Sequence, residues 1–464
     1  MRILQVSKRD IGGGAASVAW NLFQAYRASG IETWLAVGEK HSDDPHTLLI
    51  PNRQCQSNWT KFWTKIQLRL DEYGSIRGTN RCSRGVRFIA DPTKWQATYR
   101  GIEDFKFPGT QRLLELTPHK PDLVHCHNLH NDYFDLRVLS WLSKQLPVIL
   151  TLHDAWLLSG HCAYSIDCEK WRSGCGQCPD LSIYPAINRD STHNNWQRKR
   201  TIFSRSRLYL SSPSSWLMER AKESILSPGI VDVRVIHNGI DLSVFRPGQK
   251  SEVRRELGIP ANASILLFAA EGIRNNRFKD FQTLKKAVEQ IAERDKTRQL
   301  IFIALGEDAP NEMIGQAEVR FIPYQRDPRI VALYYQAADL YLHAARADTF
   351  PNVILEALAC GTPVVATAVG GIPEQVKGLK AVVETPDPLN HYDLDEATGV
   401  LVSAGDAQGM AEAIETLLDD LPLRNRMSKN AAADASVRFD LQRQIDDYLN
   451  WYSRIATRDT DAKL

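Results

Sequence analysis

The chain has 464 residues, of which 43% are hydrophobic and 24% are charged, and its formal net charge is only +2. This length suits about two or three domains, and the composition is that of a globular protein. The small net charge argues against a nucleic-acid partner for the whole molecule, and no stretch approaches the length of apolar sequence that a membrane-spanning helix needs.

The first predicted elements are a strand and a helix joined by a glycine-rich turn. Met1–Ser7 is a short apolar run without the long apolar core and cleavage site of a signal peptide, so we predict a strand and a cytoplasmic protein. Gly12-Gly13-Gly14 follows it, and Ala15–Ser29 has a helical pattern that ends at Gly30. The turn lacks the third glycine of a dinucleotide fingerprint, so a plain tight turn remains an alternative to a ligand-binding loop.

A basic, aromatic segment comes next. Between Arg53 and Arg112 there are 12 Lys/Arg and 5 Asp/Glu, a surplus of 7 positive charges. Trp59, Phe62 and Trp63 recur at helical spacing in this segment, as do Ile66 and Leu70, with Lys61, Lys65 and Arg69 between them. Such a helix can rest on an anionic membrane surface, and the alternative is an ordinary helix whose aromatic rings enter the core.

Short apolar runs alternate with helical patterns along the whole chain, which is typical of parallel α/β sheets. The first set of predicted strands is Ile3–Ser7, Thr33–Val37, Leu123–Cys126, Val148–Leu152 and Leu208–Ser211. The second set is Val233–His237, Ile265–Ala269, Leu300–Leu305, Val319–Ile322, Leu340–His343 and Pro363–Ala366. Two successive sets predict two doubly wound domains whose ligand sites lie at the carboxyl ends of their strands. The turn at Asn238-Gly239 marks the junction, which gives an N-terminal domain at 1–235 and a C-terminal domain at 236–438.

Histidines cluster at two strand ends of the first domain. His153 ends the predicted strand Val148–Leu152, where residues of a ligand-binding crevice are expected, and a buried histidine bonded to the backbone is the alternative. His125, His127 and His130 lie close together in sequence, but alternation along a strand explains their spacing better than a metal does.

Four cysteines form the most compact cluster, in an insertion at 157–180: Cys162, Cys168, Cys175 and Cys178. Four thiolates within 17 residues can hold zinc tetrahedrally, so we expect a structural rather than a catalytic metal. Disulfide pairs or free thiols remain alternatives, although a reducing cytoplasm disfavours the disulfides.

The second domain contains an acidic pair around a predicted helix start. Asp348 and Glu356 flank Phe350-Pro-Asn-Val353, and the run continues as Ala357-Leu-Ala-Cys-Gly-Thr-Pro363. A helix start offers backbone N–H groups to an anion, and carboxylates accept hydrogen bonds from sugar hydroxyls. This combination suits a sugar attached to a diphosphate.

This run resembles the acidic-x7-acidic signature of retaining family-4 glycosyltransferases, although that family usually has Glu where this chain has Asp348. The segment around Asn238 and the cysteine-rich insertion also resemble such enzymes, the insertion those of the colanic-acid and exopolysaccharide type. The resemblance implies an α/β fold of the GT-B class, with two Rossmann-like domains that face a central cleft. The first would bind the acceptor and the second the nucleotide-sugar, and a last helix at 439–464 would cross back to the first.

The resemblance also implies roles for single residues. His153 would lie near the transferred sugar, and Asp348 would bind the donor sugar. Glu356 would bind the ribose, while Lys279 and Arg274, or Arg277 in its place, would neutralise the departing diphosphate. Backbone groups would contact the donor at Gly13, Gly14, Phe350, Asn352 and Val353.

The implied activity is transfer of a sugar from a nucleoside diphosphate sugar to a hydroxyl of a lipid-linked oligosaccharide, in exopolysaccharide or surface-polysaccharide synthesis. Catalysis would need no cofactor, because cationic side chains take the place of a divalent metal. Peripheral contact with the inner face of the membrane fits the basic helix. The rival hypotheses are another nucleotide-sugar enzyme, such as an epimerase, and a non-catalytic zinc-bearing scaffold.

Overall fold

The computed structural model describes residues 1–72, 86, 88–274, 276–380 and 390–461. Parts of two predicted features therefore lie outside the described residues, namely 73–85 and 87 of the basic segment and 462–464 of the last helix. Contacts divide the chain into two compact units. The first unit comprises Met1–Ser212, Leu217–Val235 and the chain from Leu449, and the second comprises Pro213–Trp216 and Ile236–Tyr448.

The first unit contains a seven-stranded sheet in the order β3-β2-β1-β4-β5-β6-β7, and all of its strand pairs are parallel. Its strands are β1 Arg2–Arg9, β2 Glu32–Glu39, β3 Thr47–Leu49, β4 Leu123–His127, β5 Val148–Thr151, β6 Leu208–Ser212 and β7 Ile230–Val235. The α-helices that connect them include Gly14–Ala28, Asn58–Glu72, Pro92–Tyr99, Leu139–Gln145, Lys170–Ser173, Thr192–Phe203 and Ser215–Glu223.

The second unit contains a second seven-stranded sheet, in the order β10-β11-β9-β8-β12-β13-β14. Its strands are β8 Ser264–Ala269, β9 Leu300–Leu305, β10 Glu312–Ile314, β11 Ala317–Ile322, β12 Leu340–His343, β13 Val364–Thr367 and β14 Gly399–Val402. Only the edge strand β10 runs antiparallel to its neighbour among these strands. Its α-helices include Lys250–Glu256, Phe281–Arg294, Pro328–Ala337, Asn352–Ala359, Ile372–Gln375, Ala407–Asp419 and Leu421–Arg438.

Both faces of the second sheet are buried, which explains its continuous apolar strands. Along β8, Ile265 and Leu267 point into one core while Leu266 and Phe268 point into another. Because successive side chains of a strand point to opposite faces, a strand covered on both sides needs apolar residues at every position. These runs are the pattern from which the strands were predicted.

The predicted doubly wound α/β architecture is therefore confirmed, with one error in strand assignment. Val233–His237 was predicted to open the second set of strands, but β7 ends at Val235 and pairs in parallel with β6 in the first sheet. That prediction was wrong because an edge strand is only half covered, so its residues do not indicate which sheet they join. The short strands β3, β10 and β14 were not predicted.

The last helix, Leu441–Asp461, ends within the first unit. Its Tyr452 hydroxyl lies 2.7 Å from His125 Nδ1, and its Trp451 Nε1–H donates to Asp232 at 3.0 Å. This helix therefore covers the outer strand β7 and reaches the buried end of β4. No helix in the described ranges is long and apolar enough to cross a membrane.

Candidate active site

The candidate site of the second unit lies where its sheet changes winding direction. Strands β8 and β12 are neighbours, although β9 to β11 lie on the other side of β8. The loops that leave two such strands diverge and open a crevice at their carboxyl ends. The loop after β8 carries Lys279 and the loop after β12 carries Asp348, and the Arg346 N–H donates to the Phe278 carbonyl at 2.9 Å to join them.

This arrangement brings together Lys279, Asp348 and a histidine that was not predicted, His343. Lys279 Nζ forms an ion pair with Asp348 Oδ2. His343 Nε2 lies 3.4 Å from Lys279 Nζ and 3.5 Å from Asp348 Oδ2. Burial opposes charge on Asp348, but Lys279 and His343 outweigh it and hold the pKa of this carboxyl well below its usual range. Burial and the lysine charge together lower the pKa of His343 to about 4, so this imidazole is neutral at pH 7.

Glu356 lies in the helix Asn352–Ala359, slightly more than one turn from its start. Its carboxylate accepts a hydrogen bond from the Tyr335 hydroxyl at 2.8 Å. Burial raises the pKa of Glu356 to about 7, because it outweighs the stabilising effect of this bond. The two predicted acidic residues are thus in opposite states: Asp348 is ionised, whereas Glu356 exchanges a proton near neutral pH.

The helix start next to Asp348 has no side-chain cap. Pro351 precedes it, and the Asn352 side-chain carbonyl accepts from Asn238 Nδ2 at 2.9 Å. The backbone N–H groups of Asn352 and Val353 belong to the first turn, which has no intrahelical partners for its donors. Phe350 is buried and its ring stacks on His237 at 5.1 Å, so only its backbone is available to a ligand.

Arg274 and Glu374 have local partners. The exposed Arg274 donates from Nε to Glu307 Oε1 at 2.6 Å, and its guanidinium lies over the Phe321 ring. The Glu374 carboxylate accepts hydrogen bonds from the backbone N–H groups of Ser215 and Trp216, each at 2.8 Å. Glu374 therefore caps the start of the helix Ser215–Glu223. Arg274 is bonded to Glu307 and is not a member of the Lys279–Asp348 ion pair.

Glycines are required where two loops of this site meet. The Gly370 backbone has φ +57°, and a Cβ there would lie 1.8 Å from the Asp348 carbonyl oxygen. A Cβ at Gly371 would lie 2.0 Å from the Thr349 carbonyl oxygen. A side chain at either position would push the loop that carries Asp348 away.

The first unit has its own change of winding direction, between β1 and β4. After β1, Gly12 and Gly13 adopt φ values of +94° and +78°, which explains why glycine occupies these two positions. Gly14 begins the helix Gly14–Ala28, whose start has no side-chain cap. A Cβ at any of the three would meet no atom within 4 Å, so the turn borders open space.

The predicted residue His153 belongs to a chain of buried histidines. His153 Nε2 lies 3.0 Å from His127 Nδ1, and His127 Nε2 lies 3.2 Å from the Gln5 side-chain amide. His125 Nε2 is bonded to Thr151 Oγ1 at 2.6 Å. Burial lowers the pKa of all three histidines, to about 4 for His153, so these imidazoles are neutral. Hydrogen bonds account for their proximity.

His130 differs because it faces a carboxylate. Its Nε2 lies 2.7 Å from Asp154 Oδ2, and both residues are buried. Burial alone would lower the pKa of His130, but the charge of Asp154 outweighs it and raises the pKa. The Asp154 pKa is held below its usual range by the same ion pair, against the effect of burial.

The four predicted zinc ligands line one small cavity together with His161. All four are free thiols. The Gly160 N–H points to Cys175 Sγ at 3.3 Å, and His161 Nε2 lies 3.4 Å from Cys178 Sγ. In the part of the chain that the structure describes, no three His, Cys, Asp or Glu side chains are placed to hold a metal ion. The structure therefore gives no support to zinc, which remains a prediction.

Comparison with known proteins now adds to this geometry. Residues 12–244 match the model of Glycosyltransferase Family 4, and residues 249–434 match that of Glycosyl transferases group 1. The chain belongs to glycosyltransferase family 4. The model of this family covers the glycine turn, the histidines and strands β2 to β7 of the first sheet, and the second model covers the Lys279–Asp348 pair.

Proteins similar to this chain in sequence are also glycosyltransferases. The chain is 26% identical to the putative colanic acid biosynthesis glycosyl transferase WcaC of Escherichia coli, over 98% of its own length and all of that protein. It is 33% identical to D-inositol 3-phosphate glycosyltransferase 1 of Catenulispora acidiphila, over 47% of this chain and 51% of the relative. The predicted resemblance to colanic-acid-type enzymes of this family is confirmed.

Solved structures show the fold. Anabaena HepE in complex with UDP-glucose aligns with a TM-score of 0.60 at 18% identity, over 98% of this chain and all of that one. WaaG, a glycosyltransferase of lipopolysaccharide biosynthesis, aligns with a TM-score of 0.56 at 16% identity, over 96% of this chain and 98% of that one. The predicted GT-B fold is confirmed.

Several residues of the site were missed by sequence reasoning. His343 and Tyr335 lie within regular elements, where buried polar residues give no separate signal. Glu307 follows β9 at the carboxyl edge of the sheet, and its position after a predicted strand could have identified it.

The cysteine cavity yields the first testable prediction. If the thiols hold zinc, protein purified without chelator will contain about one zinc per chain, and Cys175→Ser will lower this content, because tetrahedral zinc uses all four ligands. Elemental analysis with thiol alkylation measures both, and Cys360→Ser, at a buried cysteine of the second unit, is the control. Metal-free protein with four alkylatable thiols in the cluster would contradict the zinc prediction.

Proposed function

We propose that this glycosyltransferase moves a sugar, with retention of anomeric configuration, from a nucleoside diphosphate sugar to a hydroxyl of a lipid-linked oligosaccharide. The acceptor would be an intermediate of exopolysaccharide or surface-polysaccharide synthesis. The observation that carries the proposal is the Lys279–Asp348 pair beside an uncapped helix start. Support also comes from the relative named for colanic acid biosynthesis and from HepE, whose structure was solved with UDP-glucose.

The proposed donor geometry follows from charge. A departing nucleoside diphosphate carries about two negative charges, and fixed positive charge next to it lowers the barrier. Lys279 supplies a cation, the first turn at Asn352 and Val353 supplies backbone donors, and Arg274 supplies a second cation once it leaves Glu307. Asp348 accepts hydrogen bonds from hydroxyls of the transferred sugar.

No protein nucleophile is required in this mechanism. The acceptor hydroxyl attacks on the face from which the diphosphate leaves, and a phosphate oxygen takes its proton. The neutral His343 beside Asp348 keeps the cationic charge concentrated on Lys279.

Replacing Lys279 tests this proposal. We expect Lys279→Ala to lower kcat for transfer by about 10²- to 10³-fold, because a charged group that stabilises the leaving group is lost. Lys279→Arg should retain more activity, and Lys286→Ala, at an exposed position of the helix Phe281–Arg294, should match the wild type. The measurement is product formation from a panel of nucleotide-sugars, with thermal unfolding as a check on folding. Wild-type activity in Lys279→Ala would refute the proposed role.

The raised pKa of Glu356 predicts a pH dependence of donor binding. If the ribose hydroxyls donate to this carboxylate, binding requires the ionised form, and the affinity falls as the pH drops through about 7. The Kd of an intact nucleotide-sugar, whose diphosphate does not titrate here, should rise by about tenfold per pH unit on the acid side. Calorimetry between pH 5.5 and 8.5 measures it. Glu356→Gln should bind more weakly and lose the pH dependence; an unchanged pH profile in this variant would contradict the assignment.

We also propose that the first unit rests on an anionic membrane through two helices, Asn58–Glu72 and Pro92–Tyr99. Trp59 and Phe62 of the first helix are 59% and 58% exposed. Trp95 and Tyr99 of the second are exposed and stack on each other at 5.3 Å. None of the five apolar residues predicted for the first helix is fully buried, which does not favour the alternative of an ordinary core helix.

Charge and contacts fit the same surface. Lys65 and Arg69 are exposed on the first helix. Trp59 Nε1–H donates to the Ile89 carbonyl at 2.9 Å, and Thr60 Oγ1–H donates to the Ala90 carbonyl at 3.2 Å, so the chain before the second helix packs on the first. Aromatic rings next to basic side chains are what an anionic lipid interface binds.

Vesicle binding tests this surface. Each aromatic side chain that enters the interface contributes about 1.5–3 kcal/mol, so Trp59→Ala with Phe62→Ala should weaken binding by at least about a hundredfold. Co-sedimentation with phosphatidylglycerol vesicles measures it, with phosphatidylcholine vesicles for comparison. Trp141→Ala, which removes an exposed tryptophan elsewhere, should bind like the wild type. Equal binding by the double variant would end the membrane proposal.

A further inference from the structure

The loop after β4 concentrates unusual backbone conformations. Asn128, Asn131 and Asp132 have φ values of +39°, +73° and +59°. Non-glycine residues adopt such conformations rarely, and each costs about 1–3 kcal/mol unless the surroundings enforce it. This loop leaves the sheet next to the glycine turn after β1, at the winding change where ligands of α/β sheets bind.

The buried side chains of His130 and Asp154 support this loop. His130, between two of the strained residues, forms the ion pair with Asp154 described above, and its ring lies 5.4 Å from the Trp156 ring. The Asp154 carboxylate also accepts the Trp156 N–H at 2.9 Å. The loop after β4 is therefore anchored to the loop after β5 by a charge pair shielded from water, which makes this hydrogen bond strong.

The exposed Tyr184 side chain lies next to His130. The Tyr184 ring, 46% exposed, lies 5.8 Å from the His130 ring in an edge-on arrangement. Its hydroxyl donates to Asn131 Oδ1 at 2.6 Å. This bond orients the Asn131 amide, so that its NH₂ group is the donor that remains for a ligand.

We propose that Tyr184 and Asn131 bind a pyranose ring of the acceptor, and that His130 and Asp154 position them. The Tyr184 ring would stack against the apolar C–H face of the sugar, and the Asn131 NH₂ group would donate to one of its hydroxyls. A flat aromatic ring next to an amide suits a neutral sugar, because the neighbouring titratable side chains face partners of their own: Asp154 lies 2.7 Å from His130, and Lys94 lies 3.6 Å from Asp132. This inference rests on the proposed transferase function and names the residues that would set its acceptor specificity.

The test separates acceptor binding from donor chemistry. With octyl pyranosides as acceptors, Tyr184→Ala should raise the acceptor KM by about tenfold, because an aromatic contact is lost. Its hydrolysis of the nucleotide-sugar without acceptor should equal that of the wild type. Tyr184→Phe, which keeps the ring but loses the hydroxyl that orients Asn131, should raise the acceptor KM less than Tyr184→Ala does. Saturation-transfer NMR with methyl pyranosides provides a second readout, in which the sugar signal should be lost in Tyr184→Ala.

The positioning pair needs its own measurement. Asp154→Asn should raise the acceptor KM while the donor KM stays unchanged, whereas a merely structural defect would alter both together. If the wild type transfers sugar and Tyr184→Ala keeps its acceptor KM, the acceptor assignment is wrong. If the wild type neither hydrolyses nor transfers from any nucleotide-sugar, the proposed function fails instead, and the NMR titration still decides whether Tyr184 binds sugar.

Discussion

Parallel strand pairing is the constraint from which both candidate sites follow. A parallel pair cannot be closed by a hairpin, so each strand is reached by a crossover and the loops after the strands gather at one edge of the sheet. Where the winding reverses, two of these loops separate. This places Lys279 and Asp348, distant in sequence, on adjacent loops of one unit, and puts the glycine turn next to the β4 loop in the other.

The second unit shows how opposite charges at its site stabilise each other. Removing one member of a buried ion pair costs about 3–5 kcal/mol, because the other charge is left without a partner. The Lys279–Asp348 pair avoids that penalty because each charge faces the other. A ligand that separates the pair must satisfy both members: an anion for the lysine and hydroxyl donors for the carboxylate. A sugar linked to a diphosphate offers both in one molecule, whereas a free sugar or free phosphate offers only one.

Much of this architecture could be predicted because it rests on local patterns. Strands covered on both faces read as unbroken apolar runs, so β8, β9 and β12 were predicted with bounds close to those of the structure. The three-residue strands β3 and β10 give too short a pattern, and the edge strand β7 carries no information about which sheet it joins. Glycines and prolines around Asp348 were predicted to surround a helix start, which the structure shows at Asn352.

Pairwise partners were much harder to predict. Nothing in the sequence joins Lys279 to His343 or Tyr335 to Glu356, because those contacts depend on side chains from different crossovers. Arg274 was assigned from the family resemblance, with Arg277 as the alternative, and the resemblance does not reveal that Glu307 faces Arg274. The raised pKa of Glu356 could not be predicted either, because it results from burial rather than from residue type.

The histidines of the first unit show how partners decide the state of one residue type. His127 and His153 share a hydrogen bond between ring nitrogens, which requires one donor and one acceptor, so a charge on both is excluded. Because both rings are neutral, their tautomers depend on each other. If His127 carries its proton on Nε2, toward Gln5, its Nδ1 accepts from His153 Nε2, and His153 Nδ1 is then an acceptor. With the other tautomer of His127, His153 Nδ1 carries a proton. Burial alone would lower the pKa of His130, a few residues away, but the facing Asp154 raises it. The edge of the first sheet therefore offers a neutral imidazole next to an internally balanced pair. Such a surface favours an uncharged hydroxyl-bearing ligand. In the second unit, by contrast, the Lys279 ammonium and the uncapped helix start offer hydrogen-bond donors to an anion.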